Sequence, residues 1–135
     1  MLKQPDWPSK IKRGHMTVGR ENRARQLFQS VDNQDTEAFL AFLADDVLFH
    51  FGNADPVSGK AAVGEAVRGF FGSIKGIQHE LAAIWEEDGV VICHGTVTYT
   101  RHDSTKLRVP FANILGVDNN LITKYLVFVD ISELL

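Results

Sequence analysis

Apolar residues recur at helical spacing from Val18 to Val31: Ala24, Leu27, Phe28 and Val31 share one side, and Arg20, Arg23 and Gln26 take the other. This predicts a first amphipathic helix. "DNQD" breaks the pattern, and Asp35 is placed to cap a short second helix over "TEAFLAFLA", with Thr36, Phe39, Leu40 and Leu43 as its stripe. "DDVLFHF" then changes to a period of two, with Val47, Phe49 and Phe51 on one face and Leu48 and His50 on the other, which predicts a strand. "GNADPVSG" is dense in turn formers and reads as a loop. A third helix opens at Ser58 or Gly59, and its stripe is Val63, Ala66, Val67, Phe70, Phe71 and Ile74. Gly64, Gly69 and Gly72 interrupt it at about 1 kcal/mol each, so burial must outweigh that cost or the glycines must permit close packing on a sheet.

From residue 77 the pattern is β: 77–86, 90–101, 106–117 and 121–131, separated by "EDG", "HDST" and "DNN" turns. In the second of these, Val91, Cys93, Gly95, Val97 and Tyr99 oppose His94, Thr96 and Thr98. In the last, Tyr125, Val127 and Val129 alternate with the equally apolar Leu126 and Phe128. Both faces therefore call for cover, one by the helices and the other by a second copy of the chain. The order helix, helix, strand, helix, four strands predicts an α+β fold with helices on one side of a curved sheet.

Composition narrows the function more than the fold. At 135 residues and 44% hydrophobic the chain suits one domain over residues 18–135, preceded by an unpatterned arm, residues 1–17. A formal charge of -3 without a basic stripe argues against nucleic acid. No apolar run reaches the ~18–20 residues that cross a bilayer. The single cysteine, Cys93, excludes an intrachain disulfide and fits a reducing, cytoplasmic setting. The five histidines are scattered, without metal-ligand spacing, and no phosphate-binding glycine pattern occurs, so neither a metal nor a nucleotide cofactor is expected.

One polar residue stands out inside an apolar alternation. In "VPFANILGV", Asn113 shares a face with Val109, Phe111, Leu115 and Val117. Leaving a buried carboxamide unpaired costs about 1–3 kcal/mol, so Tyr125, the backbone or a ligand must answer it. Tyr125 itself faces the same interior, and His79 goes with Ile77 and Leu81. His50 and His94 fall on the opposite face, as does Asp130. "GNADP" can form a rim from which Asn53 and Asp55 reach a ligand, while a buried Cys93 thiol is expected to be inert.

The element order, with "FLADDVLFHFGNADPVSGKAAVGEAVRGFF" and "VPFANILGVDNNLITKYLVFVD", resembles the nuclear transport factor two-like superfamily, nearest its SnoaL-like, polyketide-cyclase-like branch, over residues 18–135. The resemblance implies a cone-shaped, cystatin-like fold: three N-terminal helices on a strongly bent, mainly antiparallel sheet around an apolar pocket, paired into a homodimer through the outer sheet face. Ketosteroid isomerases of this superfamily use an aspartate base with a tyrosine and a protonated aspartate. The corresponding positions here look like Phe51, Leu27 and Asn113, so that mechanism does not carry over. The Asp–Arg–Asp set of limonene epoxide hydrolases falls near Thr96, Thr98 and Val127. The dehydratase pattern of two histidines with an aspartate and tyrosines finds His50, His79, His94 and Tyr125, with no motif placing them together.

The expected pocket wall is Phe49, Phe51, Cys93, Val97, Phe111, Asn113, Tyr125, Val127 and Val129, with Asn113, Tyr125, His79 and His50 as candidates for chemistry. The resemblance implies a small apolar carbonyl compound as ligand and cofactor-free isomerase, cyclase or lyase chemistry. The alternative is a non-catalytic ligand-binding or dimeric scaffold module.

Overall fold

The computed structural model describes residues 12–13 and 18–135. Its elements are β1 (Lys12–Arg13), α1 (Val18–Asp32), α2 (Thr36–Leu40), β2 (Leu43–Phe51), β3 (Val57–Ser58), α3 (Lys60–Gly72), β4 (Gly76–Glu87), β5 (Val90–Thr100), β6 (Lys106–Asp118) and β7 (Leu121–Val129). The expected N-terminal arm lies outside the described residues but for Lys12–Arg13, which pair in parallel with Ala83 and Ile84 of β4.

Each helix starts and stops for local reasons. Asp35 caps α2, its side chain accepting the Ala38 N–H at 3.1 Å. Helix α2 ends at Leu40, four residues before its predicted end, because the Phe42 N–H turns back to the Phe39 carbonyl at 3.1 Å and the chain enters β2 at Leu43. Between α1 and α2, Gln34 adopts φ 53° and its Nε2 donates to the Phe71 carbonyl at 3.0 Å, which ties this turn to the end of α3. Of the α3 glycines only Gly64 is a close-packing position, and its neighbour is Leu40 of α2, not the sheet; a Cβ there would lie 3.0 Å from Leu40 Cδ1.

The sheet order is β1-β4-β5-β6-β7-β2-β3. Strands β4 to β7 form the predicted antiparallel meander. Two of its turns are two-residue hairpins with consecutive positive φ: Asp88–Gly89 (51°, 77°) and Asn119–Asn120 (50°, 64°). These are the mirror-image turns whose twist suits paired strands. Strand β2 then joins β7 in parallel, Phe49 opposite Tyr125 and Phe51 opposite Val127. The pattern also missed β3, a short return that pairs Val57 with Phe49. Strand β7 stops at Val129, two residues early, where the Asp130 side chain accepts the Ser132 N–H at 3.0 Å.

The inner sheet face and the helices share one core. Leu27 and Phe28 of α1, Phe39 of α2 and Val63, Val67 and Phe71 of α3 pack with Ile84, Val97, Phe111, Leu115 and Tyr125. This α+β cone is the architecture expected. Towards β2 and α3 the core does not close, and the space left there is the site.

Candidate functional site

Between the inner sheet face and the helices lies a cavity of about 300 Å³. Phe39 of α2, Phe49 and Phe51 of β2, and Phe70 and Phe71 of α3 supply rings from one side; Ile77, Val97, Tyr99, Phe111, Tyr125 and Val127 supply the sheet wall. The rings pack on each other: Phe49 lies parallel to Phe51 at 6.4 Å, and Tyr125 meets Phe39 and Phe49 at 5.4 Å each. Such contacts hold the walls apart as a shaped space.

Five polar groups break the apolar lining: Asn113, His79, Tyr99, Tyr125 and Asp55. Asn113, opposite Cys93 on β5 and Val127 on β7, is 2% exposed. Its Oδ1 is fully buried and has no hydrogen-bond partner. Among the described residues neither Tyr125 nor the backbone answers it. Tyr125 is buried, and burial above all, with the neighbouring Cys93, Asp32 and Tyr99 groups adding, pushes its phenol well above the ordinary range. Burial pushes Tyr99 up to about 12. Both phenols are therefore neutral hydrogen-bonding groups at physiological pH.

His79 carries the most chemical potential. Its Nδ1 lies 2.6 Å from Asp32 Oδ1, and its backbone N–H donates to Asp32 Oδ2 at 3.1 Å. A carboxylate accepting from Nδ1–H fixes the tautomer and leaves Nε2 as the basic nitrogen. The ring is wedged between Phe28 and Phe111, each 5.0 Å away, and its side chain is only 10% exposed. No described residue hydrogen-bonds to Nε2. His79 is also the only one of the candidate histidines that lines the cavity.

Asp32 escaped the sequence reading. It is the last residue of α1, 47 positions from His79, and only the crossing of α1 over β4 brings the two together. His50 points away from the cavity, and His94 stacks on Trp85 on the outer face at 5.7 Å. Two expected wall residues are corrected. Cys93, next to the lining residue Asn113, is fully buried in the core beside Ile84 and does not line the cavity, its thiol pushed up to about 12 by burial. Val129 lies past the cavity's edge, where the Gly52 N–H bonds the Val127 carbonyl at 2.9 Å and the β2–β3 loop covers the strand; Ile131 lines the cavity in its place. Of the rim residues, Asp55 lines this cavity, whereas Asn53 lines a separate groove on the outer sheet face with Asp130 and Phe128. Among the described residues no three His, Cys, Asp or Glu side chains gather as metal ligands would, and no helix is long and apolar enough to cross a membrane.

The family profile of the SnoaL-like domain matches residues 24–125, and the chain belongs to this family. Several solved structures share the fold at low identity. A putative polyketide cyclase from Xanthomonas campestris pv. campestris is 18% identical with a TM-score of 0.75, over 84% of this chain and 91% of that one. A nuclear transport factor two-like protein of unknown function from Burkholderia pseudomallei is 16% identical with a TM-score of 0.77, over 87% and 95%. An LEH-like epoxide hydrolase from M. tuberculosis is 16% identical with a TM-score of 0.71, over 82% and 81%. No curated protein matches the chain.

Proposed function

We propose that the cavity binds a small apolar molecule through a carbonyl or hydroxyl group, and that His79, held by Asp32, moves a proton on that molecule. The fully buried Oδ1 of Asn113, an acceptor without a partner among the described residues in an otherwise apolar wall, carries this reading. A hollow of about 300 Å³ forgoes packing worth at most ~7 kcal/mol, at roughly 24 cal/mol per Å³ of unfilled core. A fold kept only as a scaffold has no use for that cost. In this arrangement Asn113 Oδ1 accepts from a hydroxyl of the ligand and Nδ2 of the same amide donates to its carbonyl oxygen, while Nε2 of His79 takes a proton from the carbon beside that carbonyl. The electron pair of the broken C–H bond passes to the oxygen as an enolate. Where the enolate is conjugated with a C=C bond, return of the proton from His79 to the far carbon shifts the double bond; where it attacks a second carbonyl of the same molecule, a C–C bond forms, the attacked oxygen becomes an alkoxide, and that alkoxide takes the proton back from His79 as the ring closes. The cyclase and epoxide hydrolase neighbours support small-molecule chemistry as the class, without fixing the reaction.

Native mass spectrometry of the protein isolated from cells tests the binding. A captured molecule that Asn113→Leu no longer retains is the expected result, and equal ligand content in both proteins would remove Asn113 from the site. The same substitution replaces a desolvated amide by a near-isosteric apolar group. It is therefore expected to stabilise the ligand-free protein by about 1–2 kcal/mol in urea unfolding.

A second copy of the chain is proposed on the outer sheet face. Trp85, Ile92 and Phe128 are 38%, 42% and 54% exposed there, with Trp85 directly opposite Ile92 on the neighbouring strand. Arg108 and Glu80, 3.5 Å apart on the same face, offer both signs of charge to a symmetry mate. Light scattering should give twice the 15.0 kDa chain mass, and Phe128→Glu should shift it to one chain; a wild-type mass of one chain at micromolar concentration would exclude the dimer.

A further inference from the structure

We propose that Asp55 acts as a charge filter at the rim of the cavity, so that the molecule held there is an uncharged ketone, ester or lactone and not a carboxylic acid, sulfonate or phosphate. This rests on the small-molecule reading above and adds the charge class of the ligand.

Among the described residues, those lining the cavity include no lysine and no arginine. Among the described residues the one lining group able to turn cationic is His79, and any positive charge on it is matched by the Asp32 carboxylate 2.6 Å away. At the rim, Asp55 adds a further carboxylate from the loop between β2 and β3; it is solvent-exposed and has no hydrogen bond or ion pair with a described residue. An anion entering this space would shed its water, meet the neutral donors of Asn113, Tyr99 and Tyr125, and face the Asp55 carboxylate, with that of Asp32 behind His79. Removing an ion from water without a counter-charge is among the costliest events in protein interiors. A carbonyl oxygen, by contrast, needs a single neutral donor.

A matched pair of flat probes separates these cases: 2-acetylnaphthalene, uncharged, and 2-naphthoate, ionised at neutral pH, each titrated calorimetrically into the intact protein. The ketone is expected to bind at least about tenfold more tightly, on the scale of one charge repulsion at a partly solvated site. Asp55→Asn should narrow that ratio by about threefold or more through tighter naphthoate binding. Raising salt from about 0.02 to 0.5 M should narrow it in the wild type more than in Asp55→Asn, because an exposed carboxylate is screened. Naphthoate binding as tightly as the ketone, or a ratio that Asp55→Asn leaves unchanged, would overturn the filter while leaving the cavity as a binding site. Binding of neither probe would remove the small-molecule reading itself, and the filter with it.

Discussion

Gly95→Ala is expected to destabilise the protein by about 3–5 kcal/mol, at the extreme of single substitutions. A Cβ at this position would sit 1.8 Å from the Glu80 carbonyl oxygen, 2.9 Å from its carbon and 3.0 Å from the Ala82 nitrogen. All three are backbone atoms of the facing strand, so no side chain can swing aside. Their closeness comes from the irregularity in β4 between Leu81 and Ala83, where the strand bulges towards β5. Bulges of this kind bend a strand and increase its twist. Gly95 is thus the residue that permits the sheet to curl around the cavity. Urea unfolding, with soluble yield as a second readout, measures the loss. Gly69→Ala is the matching control: nothing lies within 4 Å of a Cβ there, and a mid-helix alanine should add about 0.5–1 kcal/mol of stability. Wild-type stability in Gly95→Ala would show that β4 yields at the bulge and that the curl does not depend on this contact.

The second large effect concerns chemistry. In deuterated buffer a ketone with acidic α-hydrogens, such as 2-tetralone, is expected to exchange them faster with the protein than with buffer alone, followed by proton NMR. His79→Gln should lower that acceleration by about 10²–10⁴-fold, the usual contribution of a positioned acid–base group. Asp32→Asn should fall between the two, since it keeps a partner for the ring but no longer imposes the tautomer that leaves Nε2 basic. A purely structural role for the pair would instead appear as equal losses of stability and exchange in both variants. Exchange no faster than in buffer with the wild type, alongside ligand capture, would identify a binding module without catalysis.

How far the sequence revealed this site depends on which geometric question is asked. Period-two alternation tells which face of a strand a residue takes, and Phe49, Phe51, Phe111, Asn113, Tyr125 and Val127 lie on the cavity side as that parity requires. Parity says nothing of depth along the strand. Cys93 and Val129 take the inner face yet lie in the solid core and beyond the cavity edge. The stripe of α3 was legible as Val63 to Ile74, but which of its members would form a wall was not; Ala66, Val67, Phe70 and Phe71 do. Strand neighbours are equally silent in a hydrophobic pattern, so the parallel seam between β2 and β7 had no local signal. Asp32 is the sharpest case. A single acidic residue closing an amphipathic helix looks like any solvated terminus, and its meaning lies in a partner on another element.

That parallel seam shapes how the molecule comes into being. Phe49 and Tyr125 stand side by side in the finished sheet but are made seventy-six residues apart. As the polypeptide leaves the ribosome, β2 emerges early with its aromatic edge bare, and β3, α3 and β4 to β6 are all synthesised before β7 arrives to cover it. Loop-closure entropy delays such distant pairings, and the waiting surface is adhesive. The same rings that shape the cavity in the native protein are therefore what nascent chains display to chaperones, or to each other, during biosynthesis.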